Sequence, residues 1–151
     1  MNFIDATTQT QAKTAMSNLY ETDFIQWTEE QAKALSEHNE KALDWENLKE
    51  EIDDLGKEQI NAVHSFLKQI IIHKLKLDYT NDILSRRHWI DEIDDFQDEI
   101  ERRLTKTLLN KINIEAEYER AKRKVLKMYD ISLPAQCPYT FEDLMTRFPE
   151  Q

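Results

Sequence analysis

The chain has 151 residues, with 20 Lys and Arg against 30 Asp and Glu, which gives a formal net charge of −10. Its single glycine and its three prolines, all within the last eighteen residues, exclude most β architectures, because sheets need tight turns built from Gly, Asn-Gly or Pro. The 40% apolar content is enough for the core of one domain, so composition predicts an all-α protein and names no function.

Residues 1–18 are polar, rich in Thr and Gln, and show no apolar period. This predicts a flexible polar N-terminal arm, followed by a single helical domain over residues 19–151. The chain start lacks the apolar run of a secretory signal, and its longest apolar run, residues 70–72, is far shorter than the roughly 18 residues of a membrane span. The short apolar runs lead us to expect no membrane partner. Because a lone Cys137 cannot close an intrachain disulfide, we also expect the protein to be cytoplasmic.

The first predicted helix lies between Leu19 and Asn39, and the pattern leaves open whether it begins at Thr22 or at Thr28. A second helix is predicted to begin after Asp44, which is a typical N-cap residue. The apolar stripe of this second helix, which we expect to face the core, consists of Trp45, Leu48, Ile52 and Leu55.

Gly56 interrupts this pattern. It is typical of either a C-cap between two helices or a close-packing point within one bent helix, and we favour the cap. Beyond it, apolar positions cover more than half of the helix circumference around residues 63–72, which predicts the most buried helix of the protein.

The second half of the chain continues the helical pattern. Residues 78–86 lack a period and are predicted to form a connection, after which a helix is predicted to run to about Leu109. A further helix is predicted from about Ile114 to Met128, and Thr140 is predicted to cap a short terminal helix. The expected architecture is a bundle of about five helices with a short C-terminal capped helix.

Several motifs are similar to those of a known family. Residues 19–24 read Leu-Tyr-Glu-Thr-Asp-Phe and are followed by Trp27, residues 44–48 read Asp-Trp-Glu-Asn-Leu, and residues 137–140 read Cys-Pro-Tyr-Thr. Over roughly residues 19–147 the chain resembles the domain of unknown function 29 family, small helical proteins best known from cyanobacteria. The resemblance implies an α-helical bundle and no assigned activity.

Acidic residues of the second predicted helix suggest a metal site. Glu46 and Glu50 lie one turn apart beside Glu51, a spacing that allows their carboxylates to converge on a divalent metal. His73 would be the base, facing Glu46 or Glu50 across a helix interface. These four residues would serve a metal-dependent phosphohydrolase or nuclease, with a divalent metal as its cofactor. The competing interpretation is a solvated acidic face and a core histidine.

Charge is distributed unevenly along the chain. Residues 91–101 contain seven acids and no base, whereas residues 120–127 contain five basic residues. These segments would pair within one chain or between two copies, which we favour over nucleic-acid binding because few aromatic residues interleave with the bases. We therefore predict a non-enzymatic protein-interaction or regulatory module, antitoxin-like or adaptor, that forms a homo-oligomer or binds a protein partner. The metal-dependent enzyme is the alternative.

Overall fold

The computed structural model describes residues 18–150, which contain helices and connections and no strand. Residues 18–22 are helical (α1). They are followed by α2 (Phe24–Ser36), a 3₁₀ turn (Glu40–Ala42), α3 (Trp45–Tyr79), α4 (Arg86–Arg103), α5 (Lys106–Leu109), α6 (Ile114–Met128) and α7 (Phe141–Met145). The prediction of an all-α helical bundle is confirmed. Residues 1–17 of the predicted arm lie outside the described residues.

The chain divides into two compact units, one up to Gly56 and the other from Lys57 onward, so that the division falls within α3. In the first unit, α2 begins at Phe24 because the side chain of Asp23 accepts a hydrogen bond from the backbone N–H of Gln26. α2 therefore begins at neither of the two residues that the sequence pattern left open, Thr22 and Thr28. A single helical domain over residues 19–151 stays a prediction.

Gly56 does not separate two helices. It lies inside the continuous 35-residue helix α3, and no glycine of the described chain has a positive φ, so the predicted C-cap is wrong. A Cβ added at Gly56 would meet nothing within 4 Å, so the glycine is not a close-packing point either. The good helix formers on both sides of Gly56 continue the helix in spite of its low helix propensity.

We expect Gly56→Ala to raise the free energy of unfolding by about 0.5–1 kcal/mol, because alanine loses less backbone entropy in a helix and its Cβ would project into open space. Urea denaturation followed by far-UV circular dichroism measures the change. Gln59→Ala, at an exposed position of the same helix, is the matched control. A lower stability for Gly56→Ala would contradict a continuous, unobstructed helix at this position.

The core of the second unit is built around the later part of α3, as predicted. Its fully buried residues come from α3, α4, α6 and α7, namely Val63, Leu67, Ile70, Ile71, Leu75, Ile93, Ile100, Tyr118, Ala121, Val125 and Leu144. The terminal helix α7 joins this core through Leu144, and it begins with a capping box formed by Thr140 and Asp143, which confirms the predicted cap. No helix within residues 18–150 is at once long enough and apolar enough to cross a membrane.

The helix predicted to run to about Leu109 is divided into α4 and α5. Leu104 adopts an extended conformation, with φ −69° and ψ 124°, and it ends α4. The side chain of Thr105 then accepts a hydrogen bond from the backbone N–H of Leu108 at 3.1 Å and starts α5. The prediction of one uninterrupted helix is therefore wrong. The Thr105 hydroxyl offers the backbone a capping hydrogen bond that competes with continuation of the helix.

Candidate functional site

Asp44 connects the helices of the first unit. Its Oδ2 accepts hydrogen bonds from Nε1 of Trp27 at 3.0 Å and from Nδ2 of Asn47 at 2.8 Å. Its backbone N–H donates to Oε1 of Gln31 at 2.7 Å. The Trp27 ring that it holds is almost completely buried. Asp44 therefore attaches the start of α3 to α2, in addition to preceding α3 as the sequence predicted.

Glu51, one of the predicted metal ligands, connects α3 to α1. Its Oε1 accepts a hydrogen bond from the hydroxyl of Tyr20 at 2.5 Å. This bond, with smaller contributions from burial and from nearby carboxylates, raises the pKa of Tyr20 to about 12. The Tyr20 ring also packs edge-on against Trp27, with 4.8 Å between the ring centroids. Glu51 is thus engaged in holding the first unit together.

The other two predicted ligands, Glu46 and Glu50, are exposed on α3. Within residues 18–150, no group of three or more His, Cys, Asp or Glu side chains is arranged to hold a metal ion. The structure does not gather Glu46, Glu50 and Glu51 into a ligand set. A metal-dependent activity stays a prediction, which calorimetric titration with Mg²⁺, Mn²⁺ and Zn²⁺ on the wild type and on Glu46→Ala would test.

The apolar stripe at the start of α3 faces solvent. Trp45 is 59% exposed, Ile52 66% and Leu55 62%, while Leu48 is half-buried. These four residues are called the α3 stripe below. The prediction that this stripe faces a core is therefore wrong, and so is the expectation that Trp45 is packed inside.

The α3 stripe is exposed because the first unit makes its own contacts with a different side of α3. Asp44, Asn47 and Glu51 follow a spacing of three and four residues, and they share one side of the helix. The hydrogen bonds to Trp27 and Tyr20 are made on that polar side. Trp45, Leu48 and Ile52 each follow one of these three residues by one position. One position turns an α-helix by about 100°, so the stripe lies on a different side of α3.

The net charge of the protein is concentrated in its first unit. Residues 1–56 contain 13 Asp and Glu against 4 Lys and no Arg, a net charge of −9. Residues 57–151 contain 17 Asp and Glu against 16 Lys and Arg, a net charge of −1. The α3 stripe is therefore an apolar line on a strongly acidic unit, with carboxylates such as Glu46 and Glu50 on the same helix.

His73 lies further along α3, in the second unit, and its partner is Glu92. Nε2 of His73 is 2.5 Å from Oε2 of Glu92, and Nε2 of His88 is 3.2 Å from Oε1 of the same carboxylate. Nδ1 of His73 is buried and has no hydrogen-bond partner among the described residues. The His73 ring stacks on Phe96, with 6.1 Å between the centroids. The expectation that His73 faces Glu46 or Glu50 across a helix interface is wrong, because all three residues lie on α3 and His73 contacts Glu92 of α4. A catalytic role for His73 stays a prediction.

Burial lowers the pKa of His73 below its ordinary value of 6.5, although the adjacent Glu92 carboxylate opposes the shift. The unfolded chain therefore takes up this proton first as the pH falls. We expect stability to decrease below pH 6.5 and to level off below the folded-state pKa, with a slope of at most about 1.4 kcal/mol per pH unit for one proton.

Urea denaturation of the wild type and of His73→Gln across this pH range measures the effect, and the variant should lose part of the slope. His38→Asn, which removes an exposed histidine at a positive φ of 53° that asparagine also adopts, is the control. An identical pH profile for wild type and His73→Gln would contradict a buried neutral histidine.

The acidic segment of α4 pairs with the C-terminal segment. Arg147 contacts carboxylates of Asp94 at 2.6 Å, Asp98 at 2.7 Å and Glu101 at 3.1 Å. Glu92 contacts His73 and His88, and Glu99 contacts Arg102 and Arg103. In the part of the chain that the structure describes, no ion pair of residues 91–101 involves α6. The predicted pairing of the acidic and basic segments within one chain is therefore not formed.

The basic residues of α6 line one face of the helix. Arg120, Arg123, Lys124 and Lys127 follow the spacing i, i+3, i+4, i+7, and they are called the α6 basic face below. Arg120 pairs with the buried carboxylate of Glu117. The other three form no ion pair with any residue between 18 and 150, so their charges are available to another molecule.

Comparison with known proteins gives a family without an assigned activity. Residues 19–148 match the family described as Domain of unknown function DUF29. The chain belongs to this family. No curated protein and no solved structure matches it. The resemblance seen in the sequence is thereby confirmed.

The motif residues of this DUF29 chain bond to one another. Tyr20 and Trp27 belong to the first motif. Trp27 donates a hydrogen bond to Asp44 of the second motif, and Tyr20 donates one to Glu51, just beyond that motif. In this protein they hold the first unit together. Sequence reasoning missed the exposure of the α3 stripe, and it missed that Arg123, Lys124 and Lys127 form no ion pair within residues 18–150. One signal in the sequence could have revealed that the stripe is exposed. The motif residues Asp44 and Glu51 lie on a different side of the predicted helix from the stripe.

Proposed function

We propose that this DUF29 protein is a non-enzymatic protein-interaction module whose docking surface is the α3 stripe. The observation that supports this is the exposure of Trp45, Ile52 and Leu55 on one line of a helix. Single exposed apolar side chains are ordinary on protein surfaces, whereas a helical row of large ones is typical of surfaces that bind another helix. A tryptophan in the row adds a side chain type that is enriched among strong binding contacts.

The charge of the first unit indicates the chemistry of the partner. A net charge of −9 over residues 1–56 repels acidic surfaces and attracts basic ones. The partner that fits is an amphipathic protein helix whose apolar side covers the stripe and whose borders carry Lys and Arg. Association should therefore weaken as salt is added, because the Debye length shortens.

A second copy of the chain and another protein are the two sources of such a helix. The biological setting that we propose is a regulatory role as an adaptor or antitoxin-like protein. A cytoplasmic location belongs to the same proposal and is supported by Cys137, which is a free thiol. Nucleic acid fits the first unit poorly, because phosphate binding is carried by Lys and Arg.

A synthetic amphipathic helix with a leucine face and lysine borders tests the proposal. We expect it to bind the full chain and to shift the emission of Trp45 to the blue as the indole is covered. Ile52→Gln with Leu55→Gln should weaken binding by about 30-fold or more, because two central apolar contacts are lost. Trp45→Phe identifies the fluorescence signal.

Two controls separate docking on the stripe from general attraction between a cation and an acidic protein. Ile83→Gln with Leu84→Gln removes two exposed apolar side chains in the connection between α3 and α4 and should leave binding unchanged. A peptide with the same leucine face and glutamate borders should not bind. Equal affinity of the lysine peptide for the wild type and the Ile52, Leu55 variant would contradict the proposal.

A further inference from the structure

Resting on the proposed docking function of the α3 stripe, we infer that its occupant is the α6 basic face of a second copy of this chain. The charges of the two surfaces are opposite. Residues 120–127 contain five basic residues and no acid, and the first unit carries −9. Arg123, Lys124 and Lys127 lack ion pairs within residues 18–150, so contact with carboxylates of another copy would not break an existing pair.

The α6 basic face offers apolar surface through the aliphatic stems of its side chains. Leu126 and Met128 are exposed on the same helix, but they flank the face on opposite sides, because residues two apart do not face each other. The stems of Lys124 and Lys127 can pack against Ile52 and Leu55, since long basic side chains bury their methylene groups while the charge stays in water. The exposed indole of Trp45 attracts Lys and Arg through its ring face as well.

Charge argues against pairing of two stripes. Two first units brought together would place −9 against −9, which is unfavourable in an interface. Contact between a stripe and an α6 basic face instead brings opposite charges together. Each copy of the chain carries one stripe and one α6 basic face. One copy can therefore present its α6 basic face to the stripe of another copy.

Sedimentation of the full chain over a concentration series tests this inference. We expect the wild type to form a dimer that weakens with salt. The stripe variant, Ile52→Gln with Leu55→Gln, and the α6 variant, Arg123→Glu with Lys127→Glu, should each lose self-association by about 30-fold or more. Lys106→Glu with Lys111→Glu makes the same change in charge at exposed positions outside α6 and should still dimerise.

Mixing the two defective variants gives the sharper result. The stripe variant keeps an intact α6 basic face, and the α6 variant keeps an intact stripe. In the mixture the α6 basic face of the stripe variant meets the intact stripe of the α6 variant, so a one-to-one complex should form although neither variant associates alone. A dimer formed by the α6 variant alone, or a mixture that stays monomeric, would overturn the inference.

The lysine-bordered peptide distinguishes this inference from the proposed function beneath it. A wild-type chain that stays monomeric but binds the peptide through Ile52 and Leu55 would overturn the second-copy inference and keep the docking function. A wild-type chain that neither dimerises nor binds the peptide would overturn both. Circular dichroism of each variant, unchanged from the wild type, shows that a lost association is not a lost fold.

Discussion

Replacing Asp44 with alanine is expected to destabilise the first unit by about 2–3 kcal/mol. The substitution removes a helix-capping residue, which is worth about 1 kcal/mol, and a carboxylate acceptor, which is worth about 1.5–3 kcal/mol, and the two effects overlap. It also leaves Nε1 of the buried Trp27 without its acceptor at 3.0 Å. Hydrogen exchange should become faster in residues 18–42 and in the first turns of α3.

The comparison variants for Asp44 separate its structural role from its charge. Asp44→Asn keeps an oxygen acceptor and should retain about half of the lost stability. Glu46→Ala removes an exposed carboxylate two residues away and should have little effect. Unchanged exchange in Asp44→Ala would contradict the conclusion that this motif residue holds α2 to α3.

The second large effect is expected at Gln97. Gln97→Ala should lower the free energy of unfolding by about 3 kcal/mol. Gln97 is almost completely buried, and its Nε2 donates to the carbonyl oxygens of Leu144 at 2.8 Å and Thr146 at 3.1 Å. The alanine leaves a cavity and strands the carbonyl of a fully buried residue. Urea denaturation measures the loss.

Gln97→Met separates the two causes, because methionine fills a similar volume without the amide. We expect it to recover the packing part of the loss and to leave the carbonyls at the C-terminal end of α7 without their donor. Proteolysis near the chain end should then be faster than in the wild type. Methionine also removes the buried Oε1 of Gln97, which has no hydrogen-bond partner among the described residues, so the protection of the chain end is the decisive measurement. Wild-type protection in Gln97→Met would contradict the role of Gln97 in holding the C-terminal end of α7.

Local chemistry predicted much of the fold. The scarcity of Gly and Pro before residue 134 indicated an all-α chain, and the apolar spacing placed Ile114 and Met128 on one helix, which the structure has as α6. Thr140 was recognisable as a cap from residue type and position alone. These features depend on neighbours within a turn or two of helix, which the sequence displays directly.

Features that depend on distant residues could not be predicted in this way. The stripe of Trp45 and Ile52 has the spacing of a core-facing helix, but periodicity does not say whether another element covers it. The partner of His73 is Glu92 rather than Glu46 or Glu50, and only the packing of α3 beside α4 places it there. The two acceptors of Gln97 lie 47 and 49 residues away in sequence, so local spacing could not predict its hydrogen bonds.

The central claim is that the α3 stripe faces solvent in the folded single chain. Fluorine NMR of the protein labelled with fluorotryptophan tests it directly, since the chain has three tryptophans and Trp45→Phe assigns one resonance. In dilute, monomeric protein, the Trp45 resonance should shift between H₂O and D₂O, while those of Trp27 and Trp89 should not. A Trp45 resonance as insensitive to solvent as that of Trp27 would contradict the account.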